Sequence, residues 1–154
     1  MIKRRAIAID LLTAVKAIRA TGGYSQDVTP ADVFPWRVNT VPNKEDQEII
    51  SVNDVGNTYE DDSTLQVLTF EVIVGITKGA DNYEWIVNRA EDIWKCLYAA
   101  WPSLKTKYGY FVMKPGKDEI NIYNEGELET AEAILTIDIV HDKSTKWVHN
   151  STDY

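Results

Sequence analysis

Residues 64–101 constrain the fold most. Within the apolar run 65–76, Leu68, Phe70, Val72, Val74 and Ile76 fall on one face of an extended chain, with Gln66 in phase at the solvent end. Leu65, Val67 and Ile73 share the other face with Thr69 and Glu71. This is the alternation of an antiparallel sheet with one well-buried side. Lys78-Gly79-Ala80 turns the chain, and Asp81-Asn82-Tyr83-Glu84 has the form of a capping box, with Asp as cap and Glu three positions on. The following helix gathers Tyr83, Ile86, Val87, Ala90, Ile93, Trp94, Leu97 and Trp101 on one face, and Pro102 is expected to stop it. A strand and a helix with faces this apolar must be buried against each other, and neither aims a reactive side chain at anything.

The rest of the chain supplies what closes that core. Over 2–20, Ile7, Leu11, Ala14, Val15 and Ile18 make a helical stripe opposite Arg5, Thr13 and Lys16, ended by Thr21-Gly22-Gly23, with Tyr24 packing back over the last turn. Residues 33–38 form a short strand that Pro35 confines to an edge or a bulge. Residues 40–48 form a polar loop, 48–53 a second short strand, and 54–63 a turn-rich acidic connector. Residues 108–113 and 119–123 are expected as two strands around a Lys114-Pro115-Gly116-Lys117 hairpin turn. Ala131, Ala133, Leu135, Ile137 and Ile139 alternate with Glu132, Thr136 and Asp138 in a final long strand. The order is that of an α+β fold, a mainly antiparallel β-sheet with two amphipathic helices packed on one face. One domain, 1–143, is expected, with 144–154 a flexible C-terminal tail.

A chain of 154 residues is long enough to bury a core without a metal or a disulfide. Its single cysteine allows no intrachain disulfide. A net charge of −8 argues against a sequence-reading nucleic-acid binder, which needs a basic footprint, yet suits a surface past which nucleic acid slides. No apolar run reaches membrane-spanning length, and the N-terminal segment is too often interrupted by charge for a secretory signal, so an intracellular chain is expected.

The chemistry-bearing residues do not assemble into a reactive motif. His141 and His149 lack metal-ligand spacing. Cys96 is expected on the outer side of its helix near Trp85, Asp92 and Ala99, beside an acid and no histidine, which does not favour a thiolate. The carboxylates Glu45, Asp46, Glu48, Glu60, Asp61 and Asp62 lie in loops, and Glu125, Glu127, Glu129 and Glu132 form a charge run, so neither set makes a hydrolytic pair. Residues 54–62 lack the ligand order of a calcium loop, and the glycines make no phosphate loop. No catalytic residue, cofactor or metal is expected. Trp85 stands apart, because it points away from the core stripe of its helix. Either a loop or the tail of its own chain covers it, or a neighbouring subunit does.

An N-terminal helix closing at Gly22-Gly23-Tyr24 is followed by Val33-Phe34-Pro35-Trp36, a polar loop and the 48–52 strand. Then come a long Ile/Val strand at 64–77, the helix at 81–100 and a late alternating strand at 131–141. Over residues 2–142 this layout resembles the tail terminator proteins of long-tailed bacteriophages, also called tail completion or minor tail proteins. It departs from them in the long acidic connector 54–63 and in lacking the proline that often precedes the 48–52 strand. The resemblance implies a structural virion protein, not an enzyme. It would form a hexameric ring that caps the head-proximal end of the tail tube, ends tube polymerisation and offers the surface that joins the head. Its partners would be copies of itself, the tail tube protein, a neck or head-completion protein and passing DNA held without specific binding, with no membrane. It would reside in the virion at the head–tail joint, and in the host cytoplasm during assembly. The alternatives are a neck, head-completion or tail tube protein and, from another class, a small-ligand or enzymatic α+β domain.

On that reading the interface candidates are Trp85, Asp92, Cys96, Glu45, Asp46, Tyr59, Glu60, Asp61 and Asp62. Acids at 45–48, 60–62 and 125–132 are expected to line the lumen. Recognition is expected to lie in the loops 40–47 and 54–63, with removal of 56–61 leaving folding intact.

Overall fold

The computed structural model describes residues 3–36, 42–59, 65–108, 111–123 and 129–142. Helix α1 (Lys3–Lys16) is followed by the short edge strand β1 (Val33–Pro35), then β2 (Gln47–Tyr59) and β3 (Leu65–Thr77). Helix α2 (Asn82–Tyr108) leads to β4 (Phe111–Tyr123) and β5 (Thr130–Asp142). The sheet order is β1-β2-β3-β5-β4, with β1 parallel to β2 and every other pair antiparallel. This is the expected α+β architecture. Strand β3 lies at the centre and presents Leu68, Phe70, Val72, Val74 and Ile76 beside Ala131, Ala133, Leu135, Ile137 and Ile139 of β5. Ile7, Leu11, Val15 and Ile18 of α1 and Ile86, Ala90, Ile93 and Leu97 of α2 close over that face in one core. Helix α1 covers the β1–β2 side and α2 the β3–β5–β4 side.

Helix α1 ends at Lys16, earlier than its stripe extends. Ile18 is still buried, but Arg19 is extended and its Nη1 donates to the carbonyls of Lys16, Ile18 and Val28 at 2.9, 2.7 and 3.0 Å, which satisfies the orphaned helix end. A 3-10 turn, Ala20–Gly22, follows, and Gly23 at φ +93° closes that turn, so the glycines end it and not α1, contrary to the expectation from sequence.

The acidic connector is a strand through Tyr59. Residues 56–59 pair with 66–69 of β3, and a bulge at Val55 takes up the register shift. Asp54 is held by Arg4 of α1, whose Nε donates to its carboxylate at 2.7 Å, so the acid does not force a loop. Removing 56–61 would therefore cut into a central ladder. Residues 60–63 of the connector lie outside the described residues, as do the tail 144–154, positions 40 and 41 of the preceding loop, positions 37 and 38 of the first strand, and Glu125 and Glu127 of the expected lumen acids.

The 114–117 hairpin turn does not exist either. Strand β4 runs unbroken along the sheet edge, with a bulge between Pro115 and Asp118. A proline is tolerated on an edge strand, and the bulge is tied down where Lys117 N donates to Thr136 Oγ1 at 2.5 Å.

Pro102 does not stop α2. The helix continues because Leu104 and Tyr108 lie on its buried side, and the Tyr108 hydroxyl donates to Asp10 of α1 at 2.5 Å. At the other end Asp81 belongs to a 3-10 turn instead of capping α2, and the Asn82 side chain accepts from Lys78 N at 2.5 Å. Tyr83 is on the surface, whereas Cys96 is buried, and Gln66 is buried too.

Candidate functional site

The densest polar cluster joins the first half of α2 to the 24–28 segment and to the start of β2. Arg89 is at its centre. Ile86, Arg89, Ile93 and Cys96 are spaced so that one flank of α2 faces α1 and the segment after it. The Arg89 side chain is 1% exposed and donates from Nε to Glu48 Oε2 at 2.8 Å and from Nη1 to Asp92 Oδ2 at 3.1 Å. The same fork reaches the carbonyls of Gln26 at 2.9 Å and Asp27 at 3.0 Å. Asp92 in turn accepts from the backbone N of Ser25 at 2.9 Å and from its hydroxyl at 2.5 Å. One guanidinium thus pins a turn that has no regular structure of its own, which suits a rigid planar fork.

Trp85 caps this cluster. Its Nε1 donates to Glu48 Oε2 at 3.1 Å, and Lys78 Nζ stands 4.4 Å from its ring centroid. Its own chain therefore half-buries it, and it is not the uncovered aromatic that its place on the helix suggests. Two clefts flank it. One, of about 310 Å³, is lined by Ser25, Gln26, Asp81, Glu84 and Asn88. The other, of about 200 Å³, is lined by Asp27, Asp32, Asp46, Glu48 and Lys78. Carboxylates outnumber the one lining cation in each, Arg89 in the first and Lys78 in the second, so an anionic ligand would meet a net like charge.

The sequence-derived candidates divide. Trp85, Asp46 and Asp92 come together here, Asp46 through Lys78 at 2.9 Å and Asp92 through Arg89. Asp46 has φ +54° and Glu45 is exposed. Cys96 lies behind the cluster beside Tyr24. Burial, reinforced by the Asp92 charge, pushes its thiol up to about 11 against the lowering effect of the Tyr24 hydroxyl, so it is not a nucleophile at neutral pH. The Tyr24 hydroxyl is itself raised, first by burial and then by Cys96 and Asp92. Tyr59 ends β2, where only its backbone is described, and Glu60, Asp61 and Asp62 lie outside the described residues. Glu48 leaves the set of free acids, because it is spent on Arg89. Arg89 itself was missed by sequence reasoning, since an arginine on a helix flank is indistinguishable from a solvated one until its acceptors are placed. The one available signal was its position three residues before Asp92 and one turn after Trp85.

A second charged surface lies on the helix-free face of the sheet. Glu71, Glu119, Glu132 and Asp138 share it with Lys114 and Lys117, Lys117 Nζ lying 2.8 Å from Glu119 Oε2 and the Thr69 hydroxyl donating to Asp138 at 2.7 Å, so acids outnumber lysines there. The field there raises Lys117, chiefly through Glu119 with smaller parts from Glu71 and Glu132, and raises the Tyr123 hydroxyl, chiefly through Glu132. Among the described residues no group of three or more His, Cys, Asp or Glu could hold a metal ion. Among them, too, no helix is long and apolar enough to cross a membrane. Neither the models of known protein families nor the curated proteins compared with this chain give a match.

Proposed function

We propose that this chain is a structural virion protein of a long-tailed bacteriophage, a tail terminator that closes into a ring on the head-proximal end of the tail tube. The observation that carries this reading is the layout that resembles that family: an amphipathic helix, a short proline-limited edge strand, long paired strands, a long helix and a last alternating strand. Its role is structural and not catalytic. The buried polar groups support this, because Arg89, Glu48 and Asp92 are engaged with one another and with backbone in holding the 24–28 turn. The acids of the helix-free face would repel the phosphates of DNA passing through the ring. The ring's partners are the tube below it and the neck above it.

The test is assembly. Mixed with polymerising tail tube protein, the chain should cap tubes with closed rings visible by negative stain, and the capped tubes should stop growing. A strictly monomeric mass at high concentration with tube protein present would overturn the reading. Growth of this chain itself into long tubes would replace it with that of a tube subunit.

A further inference from the structure

A head-to-tail ring requires each copy to carry two unlike surfaces that fit one another. Two such surfaces stand at opposite edges of the sheet. At the β1 edge, α1 and the strand leave an apolar groove of about 310 Å³ lined by Arg5, Ala8, Ile9, Leu12, Pro35 and Trp36. Trp36 is 57% exposed and held at φ +56°, a backbone region that bulky side chains rarely adopt. Arg5 and Lys16 bracket the apolar residues along the outer side of α1.

At the β4 edge the complementary shape appears. Tyr83, Val87, Trp94 and Tyr98 follow one another along the flank of α2 that overhangs β4, and Trp94 Nε1 reaches Asp118 Oδ2 of that strand at 3.0 Å. The Trp94 and Tyr98 rings lie 6.1 Å apart, Tyr83 is 69% exposed, and Ile122 of β4 is exposed below them. This aromatic ledge is bordered by three exposed acids, Glu84, Glu91 and Asp118, against one exposed cation, Lys105, on the same row of α2. Aromatic side chains left open beside a charged rim are the composition of an interface centre.

We infer that the groove between α1 and β1 of one copy receives the aromatic ledge of α2 and β4 of the next. The inference rests on the ring reading and names its lateral contact. Charge decides the pairing: the groove is bracketed by Arg5 and Lys16, the ledge by carboxylates. Groove against groove, or ledge against ledge, sets like charge on like, so a symmetric dimer through either edge is disfavoured while groove on ledge is favoured. The helix-free acidic face of the sheet, lying between the two edges, is then left free for the lumen.

Charge exchange tests this in the full-length protein. One variant carries Arg5→Glu with Lys16→Glu, the other Glu84→Lys with Glu91→Lys. All four side chains lie at the helix surface, and circular dichroism checks that each variant folds. Each variant alone should assemble about a hundredfold less readily than the wild type, because one of its edges now repels its own other edge. An equimolar mixture should recover rings, since every contact between unlike variants is again between opposite charges. Trp36→Ala, which alters no charge, should weaken assembly as well. Rings formed normally by both reversed variants and by Trp36→Ala would overturn this contact and leave the ring itself standing. Folded variants that fail to assemble even when mixed would also overturn the contact. A wild-type chain that stays monomeric with tube protein would remove the ring reading, and the inference with it.

Discussion

Replacing Arg89 by methionine tests how the α2 flank is held. The wild-type guanidinium, 1% exposed, makes two contacts to carboxylates and two to carbonyls, and the partner side chains Glu48 and Asp92 are only 11% and 7% exposed. Methionine fills similar volume, so little cavity is created. What remains is two shielded carboxylates without their cation and two carbonyls without their donor. Breaking a buried ion pair from one side costs about 3–5 kcal/mol, against a total stability of about 5–15 kcal/mol for a domain. With a urea slope of about 2 kcal/mol per molar, the midpoint should fall by about 2 M. The assay is equilibrium urea unfolding followed by far-ultraviolet circular dichroism. A triple variant, Arg89→Met with Glu48→Gln and Asp92→Asn, removes the stranded charges and should recover at least about 1 kcal/mol of the loss. A loss below about 1 kcal/mol for Arg89→Met would refute the reasoning, because it lies far under the cost of breaking a buried pair. A triple variant no more stable than the single one would refute it too.

Three further outcomes are expected. A Cβ on Gly116 would overlap Thr136 Oγ1, so Gly116→Ala should cost about 1–3 kcal/mol in thermal unfolding; a neutral result contradicts the tight bulge. Phe70→Ala, at the centre of the core, should cost about 3–5 kcal/mol in urea unfolding, and a loss under about 1 kcal/mol would mean the site collapses freely. Cys96 should be about 1% thiolate at pH 9, where an ordinary thiol is half ionised, so its alkylation rate should keep climbing towards about pH 11. Because its folded value lies above the unfolded one, its contribution to stability is complete below pH 9 and is lost as pH rises from there to about 11. A reactivity profile that levels off near pH 9 would contradict its burial.

Periodicity alone determined the fold class. The alternation in β3 and β5 and the helical stripes of α1 and α2 mark which face of each element must be buried, and one buried sheet face with two amphipathic helices leaves few arrangements. That β1 must be an edge strand or a bulge was legible for the same kind of local reason, the missing N–H of Pro35, and the sheet order made it the edge. The tertiary structure decided where local signals yield to pairing and packing. Residues 54–59 carry the composition of a loop yet join β2, because β3 offers an unmet ladder and Arg4 neutralises Asp54. Pro115-Gly116 looks like a turn yet bulges within an edge strand, and Pro102 is carried inside α2 because Leu104 and Tyr108 have a core to enter. The site shows the same division. Trp85 and Asp92 could be singled out from helix geometry, but Arg89 could not, and whether Cys96 faces in or out depended on the 24–28 segment folding over that flank. Backbone hydrogen bonding and burial are satisfied across distant parts of the chain, so a residue's own neighbours in sequence fix its tendency while its partners in space fix its role.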